Sequence, residues 1–227
     1  MRIAISGFSG CGATTAARLS SRKLKLKQLN YTLRTLARER GVSLGRMQEL
    51  ALRDFPKHDL RIERKQCDLA ARSRACVIAS RLAVWLDDSR VWRRCGALRP
   101  PAFDLKVWLD VPLRVRAKRR AKEDGVAFRD SLAFTRRRDV ENALRYRRLY
   151  GVDVKRLPRG CVVIDGERNN AKQVVEAIVK LAREKAGFVS KTRIKRKRGK
   201  KITLKRKLVK RLKKQKIKKQ AGKKKKR

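Results

Sequence analysis

The residues best suited to chemistry form a glycine-rich run near the N-terminus, in which Gly7 and Gly12 hold the first and sixth positions of a phosphate-binding loop. Such glycines let the backbone curl, so that a polyphosphate lies on inward-pointing N–H groups and on the positive end of the next helix. Thr14 supplies the hydroxyl expected to bind Mg²⁺, whereas Ala13 stands where the pattern has lysine. The alternative interpretation is a plain strand-to-helix turn. The position of the run, directly after the apolar residues 3–5, favours phosphate binding.

The whole run is predicted to contact the nucleotide. Its residues are Gly7, Phe8, Ser9, Gly10, Cys11, Gly12, Ala13, Thr14 and Thr15.

Short apolar runs and helix-like segments alternate along the chain and would position this loop. Buried strands are predicted at residues 3–5, 76–79, 105–109 and 161–165, with a weaker one within 23–30. Helices are predicted at residues 13–22, 31–40, 43–53, 57–73, 112–124, 128–150 and 171–185. This order predicts an α/β fold with a parallel sheet of about five strands and helices on both faces. Ligands of such sheets bind at the carboxyl ends of the strands, where the loop lies.

Charge divides the 227 residues into two parts. The chain has 67 Lys and Arg against 20 Asp and Glu, for a formal net charge of +47, and residues 191–227 hold 23 of the basic residues and no acid. The remaining 44 basic and 20 acidic residues still give the preceding part a formal charge of +24. A segment so charged cannot bury enough apolar surface to offset its ordering entropy, so residues 188–227 are predicted to be a disordered basic tail.

The tail composition favours a polyanionic partner. Residues 191–227 are rich in lysine and contain no aromatic residue. This composition argues for contacts to a phosphate backbone and against base readout, which points to RNA or a ribosome. An anionic membrane surface is disfavoured because the tail has no Trp anchor. The remaining alternative is a solvated, solubilising segment.

The cysteines indicate a reducing compartment. Their number is five, they are scattered, and they form no C-x-x-C pair. No signal peptide and no apolar run of transmembrane length is recognisable. The protein is therefore predicted to be soluble and cytoplasmic and not to bind membranes. We also expect a monomer.

Three further motifs connect these segments to a known family. They are the stretch Leu36-Ala37-Arg38-Glu39-Arg40-Gly41, the strand Asp104-Leu105-Lys106-Val107-Trp108-Leu109, and the set Arg138-Asp139, Arg145-Tyr146 and Tyr150-Gly151-Val152-Asp153. With the loop, they make residues 1–186 similar to the nucleoside monophosphate kinases, and among them to the archaeal-type cytidylate kinases.

The resemblance implies a kinase domain at residues 1–187, with a helical acceptor-binding insertion at about 30–75 and a lid at about 127–153. It implies ATP and Mg²⁺ as cofactors and CMP or dCMP as the acceptor, giving CDP or dCDP and ADP. Residue by residue, it implies catalytic roles for Arg81, Arg138 and Arg145, and acceptor contacts for Arg34, Asp59, Arg64 and Arg81.

Arginine also suits these roles on physical grounds. Phosphoryl transfer depends on positioning and charge neutralisation, and the guanidinium forks onto phosphate and stays charged. In so basic a chain, each arginine has the alternative interpretation of a solvated surface charge.

The sequence departs from the family pattern at three places. Besides Ala13, they are Asn30 with Tyr31, and Ala79 with Ser80, where the family tends to have an acidic residue and glycine. A nucleotide-binding, RNA- or ribosome-associated protein with weak or no kinase activity is therefore the alternative function. His58, the lone histidine, is predicted to be a surface residue at a helix start, and residues 87–101 a surface loop.

Overall fold

The computed structural model describes residues 1–187 and contains an all-parallel sheet of five strands. Its strands are β1 (Arg2–Gly7), β2 (Lys27–Leu29), β3 (Cys76–Ala79), β4 (Leu105–Asp110) and β5 (Cys161–Asp165). Their order is β2-β3-β1-β4-β5, which places β1 at the centre. The predicted fold class is confirmed. The order reverses on either side of β1, and this is where ligands of open α/β sheets bind.

One short helix within residues 87–101 was not predicted, and the other helices begin and end close to their predicted limits. They are α1 (Ala13–Leu24), α2 (Leu33–Glu39), α3 (Leu44–Arg53), α4 (Lys57–Arg72), α5 (Ser89–Trp92), α6 (Leu113–Asp124), α7 (Phe128–Tyr150) and α8 (residues 171–187). The Ser43 side chain caps α3 by accepting a hydrogen bond from the Arg46 N–H at 3.1 Å. Gly151 ends α7 with φ +63°, a conformation that costs glycine little.

Two apolar clusters pack against the two faces of the sheet. One contains Trp85, Trp108 and Tyr146, and the other contains Ile5 and Ile178. Trp85 and Trp108 meet edge to face with ring centroids 5.7 Å apart, an arrangement that stabilises by about 0.5–1.5 kcal/mol beyond burial alone. The first cluster supports the C-terminal end of β4 beside the loop.

Two predictions on the helical part were wrong. His58 is buried, with 1% of its surface exposed. The buried face of α4 carries polar residues, which composition alone would assign to the protein surface. Residues 87–101 are not simply a surface loop, since they include α5 and since Val91 and Cys95 pack into the first cluster.

Residues Met1–Ala182 form one compact unit. All five cysteines are free thiols. Within residues 1–187, no helix combines the length and the apolar character needed to cross a membrane. The predicted disordered tail, residues 188–227, lies outside the described residues.

Candidate active site

The loop after β1 has the backbone shape that a phosphate requires. A Cβ on Gly7 would lie 2.5 Å from Cys11 Sγ and 2.7 Å from the Leu109 carbonyl oxygen, so only glycine fits between β1 and β4. Gly12 has φ +89°, and a Cβ there would meet no atom within 4 Å, so its face of the loop is open. Gly12 is the N-cap of α1, and no side chain caps the first-turn N–H groups of this helix. The unpaired N–H groups and the helix dipole together favour an anion here.

These groups line a cavity of about 390 Å³ at the carboxyl ends of the strands. Its wall consists of the loop, Ala79, Ser80, Arg81 and Glu123. Thr14 is exposed in the first turn of α1, so its hydroxyl is available to a ligand. Glu123 is the one carboxylate among the residues of this wall. The cradle therefore fits a polyphosphate.

Ser9, in the middle of the loop, is held by three side chains from different parts of the chain. The Arg116 guanidinium donates to the Ser9 carbonyl oxygen at 2.8 Å, and the Ser9 N–H donates to the Asp139 carboxylate at 3.2 Å. Arg81 Nε donates to Ser9 Oγ at 3.1 Å. Ser9 is itself 8% exposed, and of the three side chains that hold it only Arg81 also lines the cavity.

The guanidinium groups of Arg81, Arg120 and Arg138 lie close enough for their charges to interact, and Arg81 also contacts the loop. Burial lowers the pKa of Arg138, and the like charges of Arg81 and Arg120 lower it further. Arg120 pairs with Asp124 at 2.8 Å, whereas Arg81 and Arg138 make no ion pair within residues 1–187. Half-buried cations without a carboxylate partner favour an incoming anion, because it would relieve their mutual repulsion.

A second polar group lies where α4 packs against α7. Arg145 pairs with Asp59 at 2.9 Å, and burial raises the pKa of that aspartate despite the pairing. One turn further along α4, burial raises the pKa of Glu63 to about 8, and the charge of Asp59 adds to the effect. Burial likewise raises the pKa of Tyr146 to about 12. Glu63 and Tyr146 are therefore buried beside a partly exposed ion pair.

Comparison with known proteins gives one consistent family. The chain is 35% identical over 182 residues to the cytidylate kinase of Pyrococcus abyssi (strain GE5 / Orsay), covering 79% of this chain and 92% of that protein. It is 32% identical over 181 residues to cytidylate kinase 2 of Borrelia garinii subsp. bavariensis (strain ATCC BAA-2496 / DSM 23469 / PBi), covering 78% and 94%. The chain belongs to the cytidylate kinase family. No family model matches it.

A solved structure of lower identity agrees in fold alone. The shikimate kinase from Bacteroides thetaiotaomicron superposes with a TM-score of 0.52 at 16% identity, covering 81% of this chain and 98% of that one. The fold of this cytidylate kinase family member is thus shared with other small-molecule kinases.

The residues proposed from sequence fall into three groups in the structure. The loop and Arg81 share one cavity, and Arg138 lies close enough to Arg81 to feel its charge. Arg145 and Asp59 contact each other instead of lining this cavity. Arg34 and Arg64 are exposed and do not line it either, and Arg64 faces Asp68 at 3.9 Å.

Sequence reasoning missed four residues around the loop. Arg116 and Arg120 looked like members of a charged helix face, Asp139 received no role of its own, and Glu123 was not singled out. The available signal was weak: Arg116 lies on the apolar side of α6, where its neighbour Ala117 is also buried.

Proposed function

We propose that the protein transfers the γ-phosphoryl group of ATP to CMP or dCMP, giving ADP and CDP or dCDP. The observation that carries the proposal is that the phosphate loop and Arg81 line one cavity, in a chain of the cytidylate kinase family. An oxygen of the acceptor phosphate forms the new bond to the γ-phosphorus. The bond to the ADP oxygen breaks, and its electron pair leaves with ADP. The acceptor phosphate is largely dianionic at neutral pH, so no side chain needs to remove a proton.

In this proposal the protein acts by positioning and by balancing charge. The loop N–H groups and the N-terminus of α1 hold the polyphosphate, while Arg81 and Arg138 stabilise charge on the transferring oxygens. The resemblance gives Arg145 a catalytic role and Asp59 an acceptor contact. From the ion pair between them we propose instead that they position α7 against α4. Arg34 and Arg64 remain proposed contacts of the acceptor, on the strength of the resemblance alone. Residues 1–187 form the kinase domain, with the insertion at about 30–75 and the lid at about 127–153.

The metal proposal rests on Thr14. Within residues 1–187 no group of three or more His, Cys, Asp or Glu side chains could hold a metal ion. Mg²⁺ is commonly bound by substrate phosphates and water with one or two protein oxygens, and the exposed Thr14 hydroxyl suits that arrangement. The ion would neutralise charge on the phosphate oxygens.

The test is ADP release measured with CMP, dCMP, UMP and AMP, with and without Mg²⁺. We expect Mg²⁺-dependent turnover that is fastest with CMP or dCMP. Equal rates with AMP, or no stimulation by any monophosphate, would overturn the assignment.

A matched pair of glycine variants separates the site from general stability. Gly12→Ala and Gly160→Ala both place a side chain at positive φ, +89° and +75°, where no atom lies within 4 Å. Each substitution should cost about 1 kcal/mol of stability. Only Gly12→Ala should also weaken ATP binding, because only Gly12 lines the cavity.

The basic tail supports a second proposed property, RNA or ribosome binding. Residues 191–227 contain 23 Lys or Arg and no acid. If they engage about 6–10 phosphates, affinity should fall by about 10³–10⁵ between 50 and 200 mM salt, by analogy with duplex DNA. A protein ending at Gly187 should lose most of its RNA affinity and keep its affinity for ATP. Equal salt slopes for the two proteins would refute this, and preferential binding of the full chain to anionic vesicles would point to a membrane instead.

The remaining proposals concern the location and the oligomeric state of the enzyme. The free thiols support a cytoplasmic location. We propose that the protein acts as a monomer, which sedimentation of the full chain would check.

A further inference from the structure

We propose that Arg116 and Asp139 form a positioning pair that sets the shape of the phosphate loop and joins it to α7. The inference rests on the proposed function. It gives a role to Arg116, which no motif singled out, and to Asp139, which belongs to the Arg138-Asp139 motif but received no role of its own. Neither residue is proposed to touch the transferring group.

The contacts of the pair form a closed ring. The Ser9 N–H donates to Asp139 Oδ1 at 3.2 Å, and Arg116 Nη1 donates both to Asp139 Oδ2 at 2.7 Å and to the Ser9 carbonyl oxygen at 2.8 Å. Both backbone polar groups of one loop residue are therefore bound by one ion pair. A loop residue fixed in this way cannot rotate its backbone without breaking charge-assisted hydrogen bonds.

Arg116 is itself held rigidly. Its side chain is 4% exposed, its Nε donates to the Val111 carbonyl oxygen at 2.8 Å, and its guanidinium lies 5.3 Å from the centre of the Phe8 ring. Lysine could not make this set of contacts, because it lacks the planar fork. The position therefore requires arginine rather than positive charge alone.

The pair also limits the position of Arg138, which takes part in the proposed mechanism. Asp139 follows Arg138 on α7, so an anchor on Asp139 limits where the Arg138 guanidinium can lie relative to the loop. Since Ala13 contributes no cation to the loop, catalysis depends more strongly on arginines brought from elsewhere. The pair would thus position both the backbone donors and one of the cations.

A purely structural role is the competing explanation, and energetics disfavour it. A buried ion pair is a weak source of stability, since apolar side chains of similar volume often do as well or better. Such a pair is better explained by the geometry it imposes.

The test compares two double variants. Arg116→Met/Asp139→Leu removes both charges of the pair, which avoids leaving one of them buried alone. Lys106→Met/Asp87→Leu removes the other 2.7 Å ion pair, which lies in the part-buried region between β4 and the segment after β3 and has no contact with the loop. ATP affinity is measured by calorimetry without acceptor, together with kcat, KM for ATP and the urea midpoint.

We expect the first variant to bind ATP about 10- to 100-fold more weakly, the range of one lost charge-assisted hydrogen bond. The control should keep wild-type affinity at a comparable loss of stability. Asp139→Asn, which keeps an oxygen for the Ser9 N–H, should recover part of the affinity and serves as the second test if the double variant does not fold.

Wild-type ATP affinity and kcat in both Asp139→Asn and the double variant would overturn the inference. The proposed function fails separately, if the wild type binds ATP but phosphorylates no nucleotide. Because the affinity measurement needs no turnover, the two failures are distinguishable.

Discussion

Arg138 and Arg145 are two turns apart on α7, yet their surroundings are opposite. Arg138 lies near the like charges of Arg81 and Arg120, whose effect on its pKa outweighs that of the Asp139 and Glu141 carboxylates, and it makes no ion pair within residues 1–187. Arg145 pairs with Asp59 at 2.9 Å, beside the buried Glu63. The same residue type on one helix is thus left available for an anion at one position and neutralised by the protein at the other.

The contrast indicates that the two arginines have different roles. An unpaired, half-buried guanidinium lowers the stability of the fold unless an anion offsets its charge. Such a group at this position is therefore consistent with a site that binds and releases an anionic ligand. A guanidinium already bound to a carboxylate contributes to holding α7 against α4. We therefore expect variants at the two positions to differ in whether turnover or stability changes more.

The largest effect is expected from Arg138→Met. Removing a cation that stabilises the transferring oxygens should lower kcat by about 10³-fold or more, by analogy with arginine fingers, with a small change in stability. Arg137→Met is the matched control, because Arg137 is 68% exposed, faces Glu141 at 3.8 Å and lies over the same Phe134 ring as Arg138. Initial rates at saturating ATP and CMP measure the difference. Similar rates for the two variants would remove Arg138 from the site.

Arg145→Met should act mainly on stability. It leaves Asp59, which is 14% exposed, without its partner, so the free energy of unfolding should fall by about 1–3 kcal/mol. Arg147→Met, which breaks an exposed pair with Asp153, should cost less than about 1 kcal/mol. Urea titration of both variants gives these values. If Arg145→Met is as stable as the wild type but as inactive as Arg138→Met, the contrast between the two arginines is wrong.

The last effect concerns pH and Glu63. Burial raises its pKa from the usual 4.5 to about 8, so the folded protein keeps a proton that the unfolded chain has released. Stability should therefore fall as pH rises from 4.5 towards 8, by up to about 1.4 kcal/mol per pH unit, and level off above that range.

Glu63→Gln should remove this fall, whereas Glu141→Gln, at a 58% exposed position, should retain it. Urea midpoints at about pH 5.5 and about pH 7.5 distinguish the variants. Parallel profiles for Glu63→Gln and the wild type would show that another group causes the pH dependence.

The sequence by itself determined the elements and the loop. Apolar runs specified the strands, Gly151 ended α7 where predicted, and Ser43 capped α3, because each of these signals acts over a few neighbouring residues. The glycine spacing at Gly7 and Gly12 likewise located the phosphate cradle, because the whole loop is a local turn between one strand and the next helix.

Only the tertiary structure decided which charged residues work together. Arg116 and Asp139 reach Ser9 from 107 and 130 residues away along the chain, and Arg145 finds Asp59 from 86 residues away. In a chain with 67 basic residues, composition alone does not distinguish one arginine from another. Whether a guanidinium is paired, buried or left for a ligand depends on which carboxylates the fold brings within hydrogen-bond distance, and local sequence does not contain that information.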